Sequence, residues 1–370
     1  MHPDVLYADP PWGYVQTKNK GSLTTRGRGW KYLPMGIPQL RALSLPCARD
    51  ALVFCWCTAP LLPTQLAILE DDWGLREIRV FRVWIKTCRR RTTHPFFGVG
   101  FYTAANAEYL VVGARGAPRA SWKEEVGPPR AVWHPIGVHS QKPVALRRAV
   151  AAATPGRSRH ELFARDCSDP EFTYHGDQQS TLTSGNASGA ATMQATPLNV
   201  AERTRPAKRR RRLRTATFNG EIKNPNSPAY RVLWIDVDLE ARQRIDLTSL
   251  RFDQHAFVVT RLEPTRLRAS VDWYEAHGLL YKTVLFVSSS LGDDAFEAWL
   301  VGTTTTTRIT TPGVKRTHRS SVLCGGASVQ VVADALTTVF GADATKGYVG
   351  VTAPLGFELV ENTRSQQPCR

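Results

Sequence analysis

Short apolar runs alternate with amphipathic segments along the first half of the chain, and this alternation predicts strands and helices in turn. The predicted strands cover residues 5–8, 51–57, 77–87, 108–113 and 160–165, and the predicted helices cover residues 38–43, 61–73 and 144–153. Gly74 follows the second helix as a C-cap. Strands that alternate with helices in this way are typical of a doubly wound α/β sheet.

A polar and aromatic motif, Asp9-Pro10-Pro11-Trp12, follows the first predicted strand directly. Ligands of open α/β sheets bind at the carboxyl ends of strands, so Asp9 should face a pocket. Two prolines hold the backbone extended, and their carbonyls are expected to be free of N–H partners within the motif. An acid, a free carbonyl and an aromatic face suit a flat heterocycle that carries an amino group. The alternative is an acid-capped strand end with a proline turn and a packed Trp.

The net charge of the chain is +16 and its pI is about 9.8. Such a balance favours a polyanionic partner, nucleic acid above all, although excess arginine can also serve solubility. Nucleic-acid contacts are predicted for a basic loop after the third strand and for a cationic run in the middle of the chain. These residues are Lys86, Arg89, Arg90, Arg91, Lys208, Arg209, Arg210, Arg211 and Arg212.

The alternating pattern disappears between residues 179 and 228, where Ser, Thr, Gly, Asn and Ala dominate. This composition predicts a disordered basic linker, whose cationic run is an arm that binds nucleic acid or a nuclear-import signal. A merely solvated linker is the alternative. The linker separates a first domain, residues 1–178, from a second domain, residues 229–361.

The second domain resembles the first as a weak internal repeat. Residues 230–236 resemble 4–9, residues 256–259 resemble 51–54, and residues 295–302 resemble 106–113, with the Glu-to-Gly spacing kept. Asp236 is followed by Val-Asp instead of Pro-Pro-Trp, and Thr352 stands about where Arg165 would be expected. We interpret the second domain as a copy that kept its fold and lost its chemistry; the alternative is a chance run of similar α/β pieces.

Seven cysteines, an odd number without C-x-x-C spacing, favour free thiols over a disulfide framework or a zinc site. We therefore expect a protein of a reducing, intracellular compartment, nuclear or cytoplasmic. The longest apolar stretch, residues 51–62, is too short to span a bilayer, so no membrane partner is expected. The histidines of the first domain share no ligand spacing, and no metal is expected.

Seven motifs of the first domain occur in the order in which one enzyme family carries them. They are Ala8-Asp-Pro-Pro-Trp12, Phe54-Cys-Trp56, Val83-Trp-Ile-Lys-Thr87, Glu108-Tyr-Leu-Val-Val-Gly113, Ser140-Gln-Lys-Pro143, Glu161-Leu-Phe-Ala-Arg165 and Gly176-Asp-Gln178. With them, residues 4–178 resemble the N6-adenine methyltransferases of the eukaryotic messenger-RNA-writer type, with their phage and ciliate DNA-methylating relatives. Gln141, Cys167 and Ser168 depart from that family, which carries His, His and Asn at these positions.

The resemblance implies a Rossmann-like methyltransferase fold with a permuted order, in which the Asp-Pro-Pro-Trp strand comes first. It implies S-adenosylmethionine (SAM) as cofactor and no metal. In the RNA writers an active subunit pairs with an inactive homologue, so the repeat suggests two tandem copies that form an intramolecular pseudo-dimer. Whether the chain is then a monomer stays open.

The roles implied for single residues follow the same family. The catalytic residues would be Asp9, Pro10, Pro11 and Trp12; the base would stack on Tyr32, Trp56, Trp84 or Trp12; the donor would be held by Asp9, Lys142, Arg165, Asp177 and Gln178. For Trp56 and Trp84 ordinary core packing is the alternative, and for Lys142 it is a solvated lysine at a helix start. Glu108 is expected to brace neighbouring loops.

The leading hypothesis is therefore an enzyme that methylates adenine in nucleic acid, with RNA favoured and DNA as the close alternative. A catalytically silent nucleic-acid-binding module is the alternative of another class. A methyltransferase for a small metabolite is disfavoured because neither the charge nor the linker would then have an evident purpose.

Overall fold

Two seven-stranded sheets, one from each half of the chain, form the framework of the protein. The structure, a computed structural model, describes residues 2–13, 35–92, 94–96, 103, 106–137, 141–165, 169–176, 228–288, 290, 292–304, 322–324, 329–340, 344, 346–349, 353–354 and 357–360.

The first sheet has the strand order β5-β3-β4-β2-β1-β6-β7. The elements of this half are β1 Val5–Ala8, α1 Ile37–Arg41, β2 Ala51–Thr58, α2 Leu62–Ala67, β3 Leu75–Thr87, β4 Ala107–Arg115, α3 Trp122–Val126, β5 Arg130–Pro135, α4 Val144–Ala153, β6 Arg159–Leu162 and β7 Thr173–His175. A 3-10 turn, Ala59–Leu61, precedes α2, and a wider helical turn, Ile68–Asp72, follows it. Strand β4 runs antiparallel to β2 and β3, and the remaining paired strands run parallel.

The predicted α/β class and all five predicted strands of the first half are confirmed. Three elements were not predicted: α3, β5 and β7, which the sequence suggested to be loops. Strands β5 and β7 are short and lie at the two edges of the sheet, where one side lacks a neighbour and an apolar alternation is not required. The predicted strand 160–165 ends at Leu162, because Phe163 turns into the left-handed region with φ of 65°.

The second sheet has the strand order β12-β10-β11-β9-β8-β13-β14. The elements of this half are β8 Tyr230–Ile235, α5 Leu239–Arg242, β9 Phe252–Arg261, α6 Leu267–Ala276, β10 Leu280–Ser288, β11 Glu297–Thr303, β12 Val322–Cys324, α7 Val329–Phe340, β13 Lys346–Val349 and β14 Glu358–Leu359. Here β11 is the strand that runs antiparallel to its neighbours. Order and directions of the strands are therefore the same in both sheets. Among the described residues no helix is long and apolar enough to cross a membrane.

A continuous hydrophobic core joins the two halves. It contains buried side chains from both sheets, among them Leu6 and Val53 of the first and Leu233 and Val258 of the second. The ring of Phe286 in β10 lies 5.3 Å from the ring of Tyr109 in β4. Because the apolar surfaces of both sheets are removed from water by this contact, we expect the halves to depend on one another for stability.

Hydrogen bonds also cross the contact between the halves. The backbone N–H of Val80 in β3 donates to the carbonyl of Pro264, 2.8 Å away, and the hydroxyl of Tyr281 in β10 donates to the carbonyl of Ala59, 2.5 Å away. Ala59 and Pro264 occupy matching places, shortly after β2 and β9.

We predict that Phe286→Ala lowers the stability of both halves together, by about 3–5 kcal/mol, because it opens a cavity in the shared core. Calorimetric unfolding should show one transition at a lower temperature than in the wild type. Leu359→Ala is the control, since Leu359 is 48% exposed and its loss should change the stability little. Two separate unfolding transitions in the wild type would contradict a shared core.

Candidate active site

Four charged side chains meet at one edge of the first sheet. Asp9 follows β1, Lys86 is the last residue but one of β3, Glu108 is the second residue of β4, and Lys142 stands two residues before α4. Because β4 is antiparallel to β2 and β3, its beginning lies at the same edge as the ends of the parallel strands. The topology therefore brings residues that are far apart in sequence to one place.

These four side chains form a chain of ion pairs. Lys142 Nζ lies 2.8 Å from Asp9 Oδ1 and 3.3 Å from Glu108 Oε2, and Lys86 Nζ lies 2.5 Å from Glu108 Oε1. All four side chains are between 13% and 17% exposed. Negative and positive charges alternate and balance, which is what a partly buried group of charges requires.

Two tryptophans lie beneath the lysines. Lys142 Nζ is 5.2 Å from the ring centroid of Trp56, and Lys86 Nζ is 5.1 Å from that of Trp84. Trp56 belongs to β2, which separates β1 from β4, so Lys142 crosses over β2 to reach an acid on either side. The aromatic faces add a cation–π attraction to the ion pairs.

The charges shift the pKa values of the two central groups in opposite directions. Burial alone would raise the pKa of Glu108, but the attraction of Lys142 and Lys86 outweighs it and lowers this pKa to about 2. Burial alone would lower the pKa of Lys142, but Asp9 and then Glu108 raise it above its usual value. Both groups therefore stay ionised at neutral pH.

The prediction that the proline carbonyls are free is wrong. The N–H of Trp12 donates to the carbonyl of Pro10 at 2.8 Å, a tight turn centred on Pro11, and the N–H of Met35 donates to the carbonyl of Pro11 at 3.0 Å. The sequence argument overlooked the N–H at the end of the motif and a partner from far along the chain. A carbonyl oxygen has two lone pairs, so that of Pro10 retains capacity for a second donor.

The described tryptophans do not present stacking faces. Trp12, Trp56 and Trp84 are 5%, 1% and 3% exposed. Their indole N–H groups donate to the carbonyl of Trp56, the hydroxyl of Tyr7 and the carbonyl of His134, at 2.8, 2.7 and 2.9 Å. For Trp56 and Trp84 the geometry thus agrees with the core-packing alternative, and for Trp12 the role of an exposed face is corrected in the same way. Tyr32 lies outside the described residues.

A cleft opens beside Asp9 between the ends of β1 and β6 and the start of α4. It is lined by Tyr7, Asp9, Gln141, Lys142, Pro143, Val144, Arg147, Glu161, Phe163 and Arg165. The lining thus includes the cations Lys142 and Arg165, the acid Asp9 and the aromatic residue Phe163. Such a set fits a ligand that carries both a carboxylate and an amine, as the amino-acid part of SAM does.

Two backbone features shape the end of β6. The left-handed φ of 65° at Phe163 is unusual for a bulky residue and turns the chain so that Arg165 lines the cleft. Gly176 lies so close to Ala164 that a Cβ atom at Gly176 would stand 2.2 Å from the carbonyl oxygen of Ala164. Only glycine permits this approach, which explains the glycine of the Gly-Asp-Gln motif. Asp177 and Gln178 themselves lie outside the described residues.

The basic residues are only partly arranged as predicted. Lys86, which is predicted to contact nucleic acid, forms an ion pair with Glu108 and belongs to the ion-pair chain. Arg89 is exposed and donates to the carbonyl of Ile136 at 3.0 Å, and Arg90 and Arg91 are exposed. The run 208–212 lies outside the described residues.

The structure adds three residues to the site. Glu108, expected only to brace loops, joins both lysines. Tyr7 accepts the hydrogen bond of Trp56, and Arg147 binds Glu161 at 2.8 Å on the floor of the cleft. An acid at the start of a strand that otherwise consists of apolar residues was the available signal for Glu108. The free thiols predicted from the cysteine pattern are found at Cys47, Cys55, Cys57 and Cys88.

Acidification should remove the stability that Glu108 provides. Its pKa in the folded chain, about 2, is lower than its ordinary value of 4.5, so its contribution is complete above pH 4.5 and is lost as the pH falls towards 2. The difference in free energy of unfolding between the wild type and Glu108→Gln should shrink from pH 6 to pH 3 in urea titrations. An equal difference at both pH values would contradict the ion-pair chain.

Comparison with known proteins agrees with the site. Residues 3–178, just under half of the chain, match the model of the MT-A70 family. A type II methyltransferase, M.MunI from Mycoplasma sp., is 27% identical over 180 residues, which is 44% of this chain and 72% of that protein. The two matches support a methyltransferase, and the ion-pair chain and its cleft lie within the residues that match the MT-A70 family model.

Proposed function

We propose that this protein transfers the methyl group of SAM to the N6 amine of adenine in nucleic acid, with RNA as the favoured substrate. One observation carries the proposal. Asp9 stands at the carboxyl end of β1 beside a cleft, and Lys142 holds it through Oδ1. In the described part of the chain Oδ2 of Asp9 accepts no hydrogen bond, so this oxygen is available to a substrate amine.

The chain's part in the reaction is to orient the amine. The lone pair of the exocyclic amine is delocalised into the adenine ring, which makes the amine a poor nucleophile. Hydrogen bonds from its two hydrogens to Asp9 and to the second lone pair of the Pro10 carbonyl localise that pair and direct it to the donor. Orientation of this kind can lower the barrier by about 7–11 kcal/mol. The target base must leave its stack or come from a single strand.

SAM supplies the methyl group as a sulfonium, and the cleft beside Asp9 is where we propose that it binds. Lys142 and Arg165 are the cations available for its carboxylate. Because Lys142 is already 2.8 Å from Asp9, a donor carboxylate must share this lysine with Asp9, and Arg165 becomes the second anchor. Asp177 and Gln178, which follow the close contact of Gly176 with Ala164, remain proposed donor contacts from the resemblance.

We further propose that the second half is a duplicate of the first in tandem. Both sheets have the same strand order and directions, and their registers agree with the sequence repeat. Ala8 pairs with Cys55, which pairs with Val111; the equivalent series in the second sheet is Ile235, Thr260 and Leu300. Asp9 and Asp236 each follow the first member of their series, and Glu108 and Glu297 each lie three residues before the last member. Asp9 therefore corresponds to Asp236 and Glu108 to Glu297, as the sequence suggested. A chance likeness of two sheets would not preserve register.

The corresponding place in the second half favours a scaffold without a donor site. By register Tyr7 corresponds to Trp234 and Glu161 to Tyr348. Trp234 packs edge-on against Tyr348 and Phe357, at centroid distances of 5.1 and 5.7 Å, and the hydroxyl of Tyr348 hydrogen-bonds to Asp236 at 3.0 Å. Aromatic side chains thus pack around the position that corresponds to Tyr7, and a tyrosine hydroxyl occupies the acid that corresponds to Asp9. Thr352, the suggested counterpart of Arg165, lies outside the described residues.

Nucleic acid is the proposed partner because of the net charge of +16 and the exposed arginines after β3. The internal pseudo-dimer, which resembles the paired subunits of RNA writers, favours RNA. The similarity to a type II methyltransferase keeps DNA as the second candidate. We propose a nuclear or cytoplasmic location, in keeping with the free thiols.

We predict that Asp9→Ala abolishes methyl transfer, since the amine loses its charged acceptor, while the fold persists. The assay uses radiolabelled SAM with matched single-stranded and duplex RNA and DNA, followed by nucleoside analysis. Asp236→Ala, at the corresponding position of the second half, is the matched control and should keep wild-type turnover. Wild-type turnover in Asp9→Ala would refute the assignment, and transfer only to DNA would replace RNA by the second candidate.

The chain should bind one donor molecule. Calorimetric titration of the full chain with SAM, or with its demethylated product, should give a stoichiometry near one, because the proposed donor residues Lys142 and Arg165 line a cleft of the first half and Asp236 is hydrogen-bonded to Tyr348. Two equal sites per chain would contradict the scaffold role of the second half. Absence of binding would favour the silent nucleic-acid-binding module.

A further inference from the structure

We propose that Glu108 is a positioning residue of the reaction, which acts through Lys142 on Asp9. This inference rests on the proposed function of the same site. Among the described residues Glu108 does not line the cleft and forms an ion pair with Lys142, which does, and so Glu108 is not expected to touch a substrate. Its effect is on the direction in which Lys142 holds the carboxylate of Asp9.

The first argument is geometric. In the sheet, β2 lies between β4 and β1. Glu108 of β4 and Asp9 after β1 therefore lie on opposite sides of the strand that carries Trp56. Lys142 comes from a loop before α4 and reaches over Trp56 to both. A flexible lysine with one acid partner can rotate around that partner, whereas two partners on opposite sides fix its ammonium group between them. Lys142 then binds Asp9 through the oxygen Oδ1 only.

The second argument is electrostatic. Glu108 is 17% exposed, and burial of a lone carboxylate is costly. A glutamate that only filled space could be a glutamine at lower cost. Here two lysines keep Glu108 charged, and Lys142 is shared between Glu108 at 3.3 Å and Asp9 at 2.8 Å, so its charge is not devoted to Asp9 alone. Asp9 therefore retains acceptor strength for the amine.

The third argument is the contrast with the second half. Glu297 occupies the position that corresponds to Glu108, but its partner is Arg261 of the neighbouring strand β9, at 2.9 Å. No lysine from a loop bridges it to Asp236 within the described residues. The glutamate is thus present in both halves, and only in the first is it linked to the acid at the end of the first strand.

The test compares Glu108→Gln with Glu297→Gln, which removes the same charge at the corresponding position. Steady-state kinetics should show that Glu108→Gln lowers kcat by about 10- to 100-fold and changes the KM for the oligonucleotide by less than about threefold, because the substrate binds but its amine is poorly held. Glu297→Gln should keep the wild-type kcat. Glu108→Gln with a kcat within twofold of Glu297→Gln overturns the proposal.

A double variant separates positioning from charge balance. Glu108→Gln leaves Lys86 without a counter-charge, which can destabilise the fold by itself. Glu108→Gln combined with Lys86→Met removes both charges, and its melting temperature should return towards that of the wild type while kcat stays low. Recovery of kcat together with stability would show that Glu108 only balances charge, and would overturn the positioning role. A wild-type chain that methylates no adenine would instead overturn the proposed function, and this inference with it.

Discussion

The ammonium group of Lys142, held between two acids above an aromatic ring, is the interaction on which the candidate site depends. It connects the end of β1 with the beginning of β4 across β2, and so it ties the motif around Asp9 to the middle of the sheet. Charges with so little solvent access are tolerated only in balanced sets. The balance here takes four residues, and the fourth, Lys86, explains why a lysine stands next to the end of β3.

Aromatic residues near an acid suggest a surface on which a base stacks, but the tryptophans here support the charged side chains. Trp56 and Trp84 lie beneath the ammonium groups of Lys142 and Lys86. The indole N–H group of each tryptophan donates a hydrogen bond to another group of the protein. Trp12 fastens the Asp-Pro-Pro turn to β2 through the carbonyl of Trp56. The aromatic cluster therefore supports the charged layer from below and gives the acid at the sheet edge a rigid position.

The second half contributes structure close to the site. Its loop before β11 binds β5 of the first half: the N–H of Ala131 donates to the carbonyl of Asp294 at 2.7 Å, and the indole of Trp133 to that of Asp293 at 2.9 Å. Strand β5 leads towards Lys142, and β4 carries Tyr109 against Phe286 immediately after Glu108. The second half thus completes the hydrophobic core against which the strands of the first half pack.

The sequence by itself determined the class of fold, the strands of the first half and the motifs that mark its site, because apolar periodicity and proline chemistry act over a few neighbouring residues. It also suggested a weak repeat, and the two sheets have the same strand order. The partner of Lys142, the role of Glu108 and the burial of Trp56 were decided only by the tertiary structure. They depend on which strand is antiparallel and which strands are adjacent, and such long-range pairings leave no local pattern in the chain. The hydrogen bonds on the proline carbonyls belong to the same class, since one of their donors comes from Met35, beyond the following loop.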